Sequence, residues 1–168
     1  MPSDDLLESY EQDERALKGA LLREPISALE PRQPVLVAPQ QRMREAVDLM
    51  VASHTGCVCV VERECLIGIF TERDLLHALQ GGVDFESTTV GQIMTRDPET
   101  LRRSDGIALA LNQMSEGGFR HVPIVDGAGR PVGILAMRDI VRFIVSLFPD
   151  AVLTVPPDPS AIPTEYGG

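Results

Sequence analysis

The sequence predicts a mixed α/β (α+β) protein built from two copies of one β-α-β-β-α unit. Two observations carry this prediction. The segment GIFTERD at residues 68–74 returns as GILAMRD at residues 133–139, which is 65 residues later. Upstream of these motifs, residues 25–61 align with residues 89–125 without a gap at an offset of 64. A repeat of this period indicates two units that share a core, because about 60 residues bury little apolar surface alone.

The alignment places apolar residues on apolar residues. Ile26 falls on Val90, and Met50 falls on Met114. One residue is inserted in the second copy, and the insertion lies in the turn-forming sequence DGAGRP at 126–131. A length change confined to a turn is typical of two copies of one fold, since turns tolerate insertions that strands and helices do not.

Each unit is predicted to contain the same elements in the same order. A short strand comes first, a helix with apolar positions at helical spacing follows, and a hairpin then leads into a second helix. The predicted ranges are 35–37 and 100–101 for the first strands, 43–53 and 105–116 for the first helices, and 72–80 and 137–148 for the second helices.

The rest of the chain flanks these units. Ser3, Asp4 and Asp5 provide N-cap chemistry before apolar residues at roughly helical spacing, which predicts an amphipathic helix in residues 1–24, with a solvated leader as the alternative. The C-terminal twenty residues contain five of the 13 prolines and are predicted to be extended or disordered. The predicted organisation is a helical segment 1–24, a first repeat 25–82, a linker 83–89, a second repeat 90–148 and a Pro-rich tail 149–168.

The formal net charge of −10 lies mainly at the two ends of the chain. Residues 1–24 carry −4 and residues 149–168 carry −3, so the repeats are nearly balanced. A broad basic face for nucleic acid is therefore disfavoured, and the aromatic content of 4% supplies few stacking platforms. A small anion pocket lined by a few arginines remains compatible with this balance.

Three cysteines, Cys57, Cys59 and Cys65, lie within nine residues. Their odd number does not form a disulfide framework, and no signal peptide or apolar span of 18 residues is recognisable. We therefore expect a cytoplasmic protein with reduced thiols and no membrane association. A metal or redox site that includes His54 is an alternative, but free cysteine is more often a small buried apolar residue.

The motif at 68–74 has the pattern of a strand, a turn and a helix start. Thr71 stands at a predicted N-cap, and Asp74 stands one turn on. A simple interpretation is that Asp74, and Asp139 in the second copy, stabilise helix N-termini as first-turn acids.

Together with IMTRDP at 93–98 and RHVPIVD at 120–126, these motifs resemble a tandem pair of cystathionine β-synthase (CBS) domains, also called a Bateman module. The resemblance covers residues 25–148, and no catalytic domain is recognisable beside it. It implies two repeats packed about a pseudo-two-fold axis, with two clefts that commonly bind adenosine-containing ligands. It also implies association into a homodimer through the helices.

The resemblance implies that one cleft is competent to bind a nucleotide. In this cleft Thr71 and Asp74 would bind ribose, and backbone groups around 94–99 would read adenine. Basic side chains would bind phosphate. Because neighbouring strand residues point to opposite faces, at least one of Arg120 and His121 should face the cleft, and Arg120 is the favoured phosphate ligand. The candidate residues are Thr71, Asp74, Met94, Thr95, Glu99, Phe119, Arg120, His121, Pro123 and Arg138.

The second cleft keeps little of this pattern. Ala136 stands where the first motif has Thr71, and repeat one offers Gly56, Cys57 and Cys59 where repeat two has Arg120, His121 and Pro123. Asp139 and Arg73 are the candidate residues that remain. We expect this cleft to be empty, weaker or structural.

The sequence therefore predicts a regulatory module, not an enzyme, that senses AMP, ADP or ATP and reports the energy state of the cell to a partner protein. Neither a cofactor nor a metal is expected, and the effector protein is unknown. One alternative is a ligand-free structural module for dimerisation or scaffolding. Another is a thiol or metal sensor centred on Cys57, Cys59 and Cys65.

Overall fold

The computed structural model describes residues 4–147. The predicted Pro-rich tail lies outside the described residues. A 3₁₀ turn at Ile26–Leu29 follows the first helix. The elements in chain order are α1 (Asp4–Arg23), β1 (Leu36–Val37), α2 (Met43–Ala52), β2 (Cys57–Glu62), β3 (Cys65–Thr71), α3 (Glu72–Gln80), α4 (Val90–Ile93), β4 (Thr95–Arg96), α5 (Ile107–Gly117), β5 (His121–Val125), β6 (Pro131–Ala136) and α6 (Met137–Leu147).

The mixed α and β architecture predicted from the repeat is confirmed. Strands β1 to β4 form one sheet in chain order, with β1 parallel to β2 and the other pairs antiparallel. Strands β5 and β6 form an antiparallel hairpin. The predicted strand at 100–101 is reduced to one parallel bridge between Leu101 and Ile124, so the second half has a shorter edge than the first.

Each hairpin receives a backbone segment from the other repeat. Strand β4 of the second repeat pairs with β3 of the first, where Thr95 lies opposite Ile69. Arg32 of the first repeat forms an antiparallel bridge with Ile134 of the second. These reciprocal contacts relate the halves by the pseudo-two-fold arrangement that the resemblance to a CBS-domain pair implied.

The same exchange completes the two hydrophobic cores. Ile26 is fully buried among second-repeat residues such as Ile107 and Val122, whereas its counterpart Val90 is fully buried in the first-repeat core with Met43. Backbone bonds fix both segments: Ile26 N donates to Asp105 O at 2.8 Å, and Val90 N donates to Gln41 O at 2.8 Å. Neither half therefore has a complete core without the other.

A third apolar cluster joins the two hairpins. It consists of Cys57, Cys59, Ile69 and Ile134, all buried. Because strand side chains alternate between faces, Cys57 and Cys59 lie opposite the face that sends Val58 and Val60 into the first core.

Helix α1 packs on the second half. It contacts α5, and Leu21 reaches the second core, whereas Leu22 is 67% exposed. The helix predicted near the N-terminus is thus present and extends the structure beyond the two repeats. No helix within residues 4–147 is long and apolar enough to cross a membrane.

Replacing Ile26 by Ala tests whether the exchanged segment is part of the core. We expect Ile26→Ala to lower the free energy of unfolding by about 2–5 kcal/mol, because it removes a fully buried side chain and leaves a cavity. Urea denaturation measures the loss. The control Leu22→Ala removes an exposed leucine and should change stability by less than about 0.5 kcal/mol. Equal effects of the two substitutions would show that the segment is a peripheral arm.

Candidate functional site

The start of helix α3 is built as a reciprocal cap. Thr71 Oγ1 accepts a hydrogen bond from Asp74 N at 3.3 Å, and Asp74 Oδ2 accepts from Thr71 N at 2.8 Å. The Thr71 hydroxyl also donates to Asp74 Oδ2 at 2.7 Å. The N-cap predicted at Thr71 is confirmed, and the cap fixes the orientation of the Asp74 carboxylate.

The second oxygen of Asp74 faces the other repeat. Thr95 Oγ1 donates to Asp74 Oδ1 at 3.1 Å. Thr95 reaches this position because β4 pairs with β3 directly before the helix start. One carboxylate and two threonine hydroxyls therefore meet where the repeats join.

These side chains line a cavity of about 510 Å³, here called the first cleft. Both repeats contribute to its wall. Seven of the ten residues predicted for the competent site line it: Thr71, Asp74, Thr95, Glu99, Phe119, Arg120 and His121. Arg120 and His121 both face the cleft because β5 begins at His121, so strand alternation does not govern Arg120.

Three predicted residues lie elsewhere. Met94 is buried in the first core, and its sulfur packs so closely on Gly68 that a Cβ there would lie 2.4 Å away. Pro123 is buried within β5, paired with Ile134. Neither side chain lies in the wall of the cleft, and a contact of the backbone around Met94 with adenine stays a prediction.

The two motif arginines are interchanged relative to the prediction. Arg73, assigned to the second cleft, lines the first, and its Nη1 donates to Gly118 O at 2.8 Å. Arg138, assigned to the first cleft, lines a neighbouring cavity. Each arginine lies in the first turn of its own helix and so stays beside its own motif.

Several residues of the first cleft were not predicted. Glu72 lies within the 68–74 motif, and Asp97 and Pro98 lie within the 93–98 motif, so their neighbours in sequence could have indicated them. Asp97 adopts a left-handed backbone with φ 45°, which places the turn after β4 at the cleft wall. The other unpredicted residues of the wall are Gly56, Ile69 and Leu76.

A second cavity of about 640 Å³ adjoins the first cleft and is here called the groove. Gly56, Glu72, Arg120 and His121 line both cavities and form the neck between them. The other residues of the groove are Val47, Met50, Val51, His54, Thr55, Leu75, Ala136, Met137 and Arg138.

Asp139 has a different environment from Asp74. Its Oδ2 accepts from Ala136 N at 3.0 Å, which repeats the backbone half of the cap. Its Oδ1 pairs with Arg32 at 3.2 Å and lies 3.8 Å from Arg142. Ala136 supplies no hydroxyl, and an arginine of the first repeat neutralises the carboxylate. The arrangement accounts for Asp139 as a structural residue; that the second cleft is empty or weaker stays a prediction.

His121 is the histidine of the neck. Burial lowers the pKa of His121 below its usual value, and the charges of Arg138 and Arg120 lower it further, against opposing contributions from Glu72 and Asp139. The imidazole is therefore mainly neutral at pH 7, and it gains a proton more easily when an anion is bound beside it.

The cysteine cluster has the chemistry of a packing element. Burial raises the pKa of Cys57 and of Cys59 to about 12, so neither forms an appreciable thiolate near neutral pH. Cys65 is exposed, and its thiol lies 3.5 Å from Ala128 O. In residues 4–147 no group of three or more His, Cys, Asp or Glu side chains is arranged to hold a metal ion.

The fold and the composite cleft define a tandem pair of similar β-α-β-β-α domains that meet at a shared site. The family model described as "CBS domain" matches residues 26–81 and again residues 90–146. The chain therefore belongs to the CBS-domain family, and it carries two such domains in tandem.

Relatives with curated records differ in how much of their length the chain spans. An uncharacterized 17.7 kDa protein of Acidianus ambivalens is 31% identical over 113 residues, which are 67% of this chain and 68% of that protein. Arabinose 5-phosphate isomerase KdsD of Pseudomonas aeruginosa is 39% identical over 85 residues, which are 51% of this chain but 26% of the isomerase.

Solved CBS-domain structures share the fold. The CBS domain pair of protein MJ0100, crystallised with 5′-methylthioadenosine and S-adenosyl-L-methionine, is 25% identical with a TM-score of 0.66, over 71% of this chain and 98% of that one. Protein PAE2072 of Pyrobaculum aerophilum, complexed with AMP, has a TM-score of 0.66 over 73% of this chain and 99% of that one. At 24% identity, PAE2072 shows similarity of fold.

The lowered pKa of His121 predicts a pH dependence of stability. The neutral imidazole stabilises the folded state above pH 6.5, and this contribution is lost as pH falls through the lowered folded-state pKa. We expect the melting temperature of the native protein to fall more steeply between pH 7 and pH 5 than that of His121→Gln. The control His77→Gln, on the exposed side of α3, should keep the native slope. Parallel curves for the native protein and His121→Gln would contradict the prediction.

Proposed function

We propose that the chain is a regulatory module that binds an adenine nucleotide in the first cleft and, through it, changes the activity of a partner protein. The observation that carries this proposal is the composite cleft itself. A carboxylate held at a helix start by the first repeat faces hydroxyl and cationic groups of the second across a cavity of about 510 Å³.

The Asp74 end of the cleft provides the acceptors that a ribose needs. Its two oxygens already accept from the Thr71 and Thr95 hydroxyls, so the carboxylate is oriented before a ligand arrives. A ribose diol can replace these donors one for one. The exchange leaves no buried acceptor without a partner, which keeps the cost of binding low.

The wall of the cleft also provides cations for phosphate. Arg73 and Arg120 are exposed guanidinium groups at the wall, and His121 lies beside them. Charge-assisted hydrogen bonds from such groups are among the strongest that a phosphate can receive. The cleft therefore favours a nucleotide over a free nucleoside. In protein MJ0100 the bound compounds also contain an adenosyl group.

The proposal involves binding without catalysis. Because the cleft is walled by both repeats, a ligand contacts both and favours one relative arrangement of them. The equilibrium then shifts by the difference in affinity between the arrangements, which is sufficient for regulation. AMP, ADP and ATP are the candidate ligands, and an effector protein reads the change. The cytoplasmic location stays a prediction.

A second candidate function is a dimerisation or scaffold module. The observation that favours it is a set of apolar side chains exposed on the helices. Leu49 and Val51 of α2 and Leu76 and Leu79 of α3 are between 37% and 69% exposed. We propose that a second copy of the chain covers such helices.

Isothermal titration calorimetry with AMP, ADP and ATP tests the nucleotide proposal. We expect saturable binding of at least one nucleotide by the native protein. Asp74→Asn should weaken it by about tenfold or more, since it removes the charged acceptor for ribose but keeps the size of the side chain.

Asp139→Asn is the matched control, because Asp139 holds the same place in the second motif. It should leave the affinity of the first cleft within about twofold, and melting curves establish that both variants are folded. The absence of heat with all three nucleotides, from a protein that still elutes as a dimer, would reject nucleotide sensing in favour of the scaffold function.

A further inference from the structure

The first cleft is open at its cationic end. The neck residues Gly56, Glu72, Arg120 and His121 line both cavities, so the first cleft and the groove meet there. A ligand whose phosphate lies against Arg120 and His121 can therefore continue into the groove. The groove is slightly larger than the cleft, at about 640 Å³ against about 510 Å³.

The wall of the groove beyond the neck is mainly apolar. Val47 and Met50 of α2 and Leu75 of α3 form one side, and Ala136 and Met137 form the other. Met50 and Ala136 are buried, and the other three are half-buried. Apolar side chains converging on a cavity of this size are typical of a site for an apolar group.

The groove is open because repeat one has small residues where repeat two has large ones. At the repeat offset of 64, Thr55 corresponds to Phe119 and Gly56 corresponds to Arg120. The Phe119 ring lies over the end of α5, where a Cβ on Gly117 would lie 2.1 Å from it. Thr55 supplies no ring at the end of α2, and a Cβ on Gly56 would lie 3.1 Å from the His121 ring.

The charges near the neck disfavour a long polyphosphate. Among the described residues, Arg138 supplies the one guanidinium that the groove adds beyond the neck, and Glu72 lines both cavities. Further phosphates would meet this carboxylate and then the apolar wall. A ligand with a single phosphate followed by an uncharged chain avoids both the repulsion from Glu72 and the burial of charge against the apolar wall.

We propose that the groove binds an apolar arm attached to the phosphate of the nucleotide in the first cleft. The ligand class is an adenosine 5′-phosphate that carries a short acyl or alkyl chain. This inference rests on the proposed function, since the arm is positioned by the adenosine part. It assigns the groove a role in selecting among adenosine ligands.

Calorimetry with two synthetic probes, the methyl and n-hexyl esters of AMP, tests the inference. The probes have the same charge and differ only in apolar length. Native protein should bind the hexyl ester at least about tenfold more tightly than the methyl ester, because several methylene groups leave water. In Thr55→Phe the ring should project into the groove, since Ser53 has a Cβ where Gly117 has none. This variant should bind both esters with the affinity that native protein has for the methyl ester.

Val51→Asp is a second variant that places a charge on the groove wall at a position 69% exposed. Because a second copy of the chain is also proposed to cover Val51, the affinities are compared only if the variant elutes in the same oligomeric state as native protein. The variant should also reduce the advantage of the hexyl ester. The matched control Val141→Asp, on the 50% exposed face of α6 and in the wall of neither cavity, should preserve it. Equal affinity of native protein for the two esters would overturn this inference and leave nucleotide binding intact. A lack of binding of AMP and of both esters would instead reject the proposed function.

Discussion

The exchange of leading segments between the repeats is the constraint on which the rest of the structure depends. Ile26 completes the second core and Val90 completes the first, and each is held by a backbone hydrogen bond to the other half. The segment that carries Val90 continues into β4, which pairs with β3 and brings Thr95 to Asp74. The packing that joins the two halves therefore also assembles the cleft. A substitution in this segment is expected to affect both the core and the cleft.

The two repeats share the same backbone arrangement but have different side chains at their helix starts. The backbone half of the helix cap is present in both copies, since Asp74 and Asp139 each accept from the residue three positions earlier. The side-chain half of the cap is present only in the first copy, because Ala136 stands in the second copy where the first has Thr71. The other carboxylate oxygen accepts a hydrogen bond from Thr95 in the first copy and from Arg32 in the second. Conserving the cap preserves the fold, and changing its partners removes an acceptor from one cleft. Fold and ligand selection can thus diverge independently in a tandem repeat.

The sequence predicted the fold well because repeat register and helix capping are local or periodic signals. It predicted the directions of individual side chains less well. Met94 and Pro123 were assigned to the cleft, but both side chains are buried outside its wall, and Met94 packs on Gly68, which belongs to the other repeat. The groove could not be predicted from the sequence, because it forms where side chains are small. The sequence around Thr55 does not distinguish the wall of a cavity from an ordinary turn. A cavity that forms where side chains are small can be recognised only in the three-dimensional structure.

The neck links the electrostatics of the site to the joint between the repeats. Glu72 starts a helix of the first repeat, its backbone N donates to Gly56 O, and its carboxylate acts on His121 of the second. If the proposed nucleotide binds there, its phosphate against Arg120 and His121 would stabilise the protonated imidazole and so strengthen the attraction of His121 to Glu72 across the two repeats. Because burial keeps His121 mainly neutral without ligand, this attraction is weak until an anion is bound. Under the proposed function, occupancy of the cleft would therefore be coupled to the contact between the repeats through one histidine, and a partner protein would meet an arrangement that depends on that coupling.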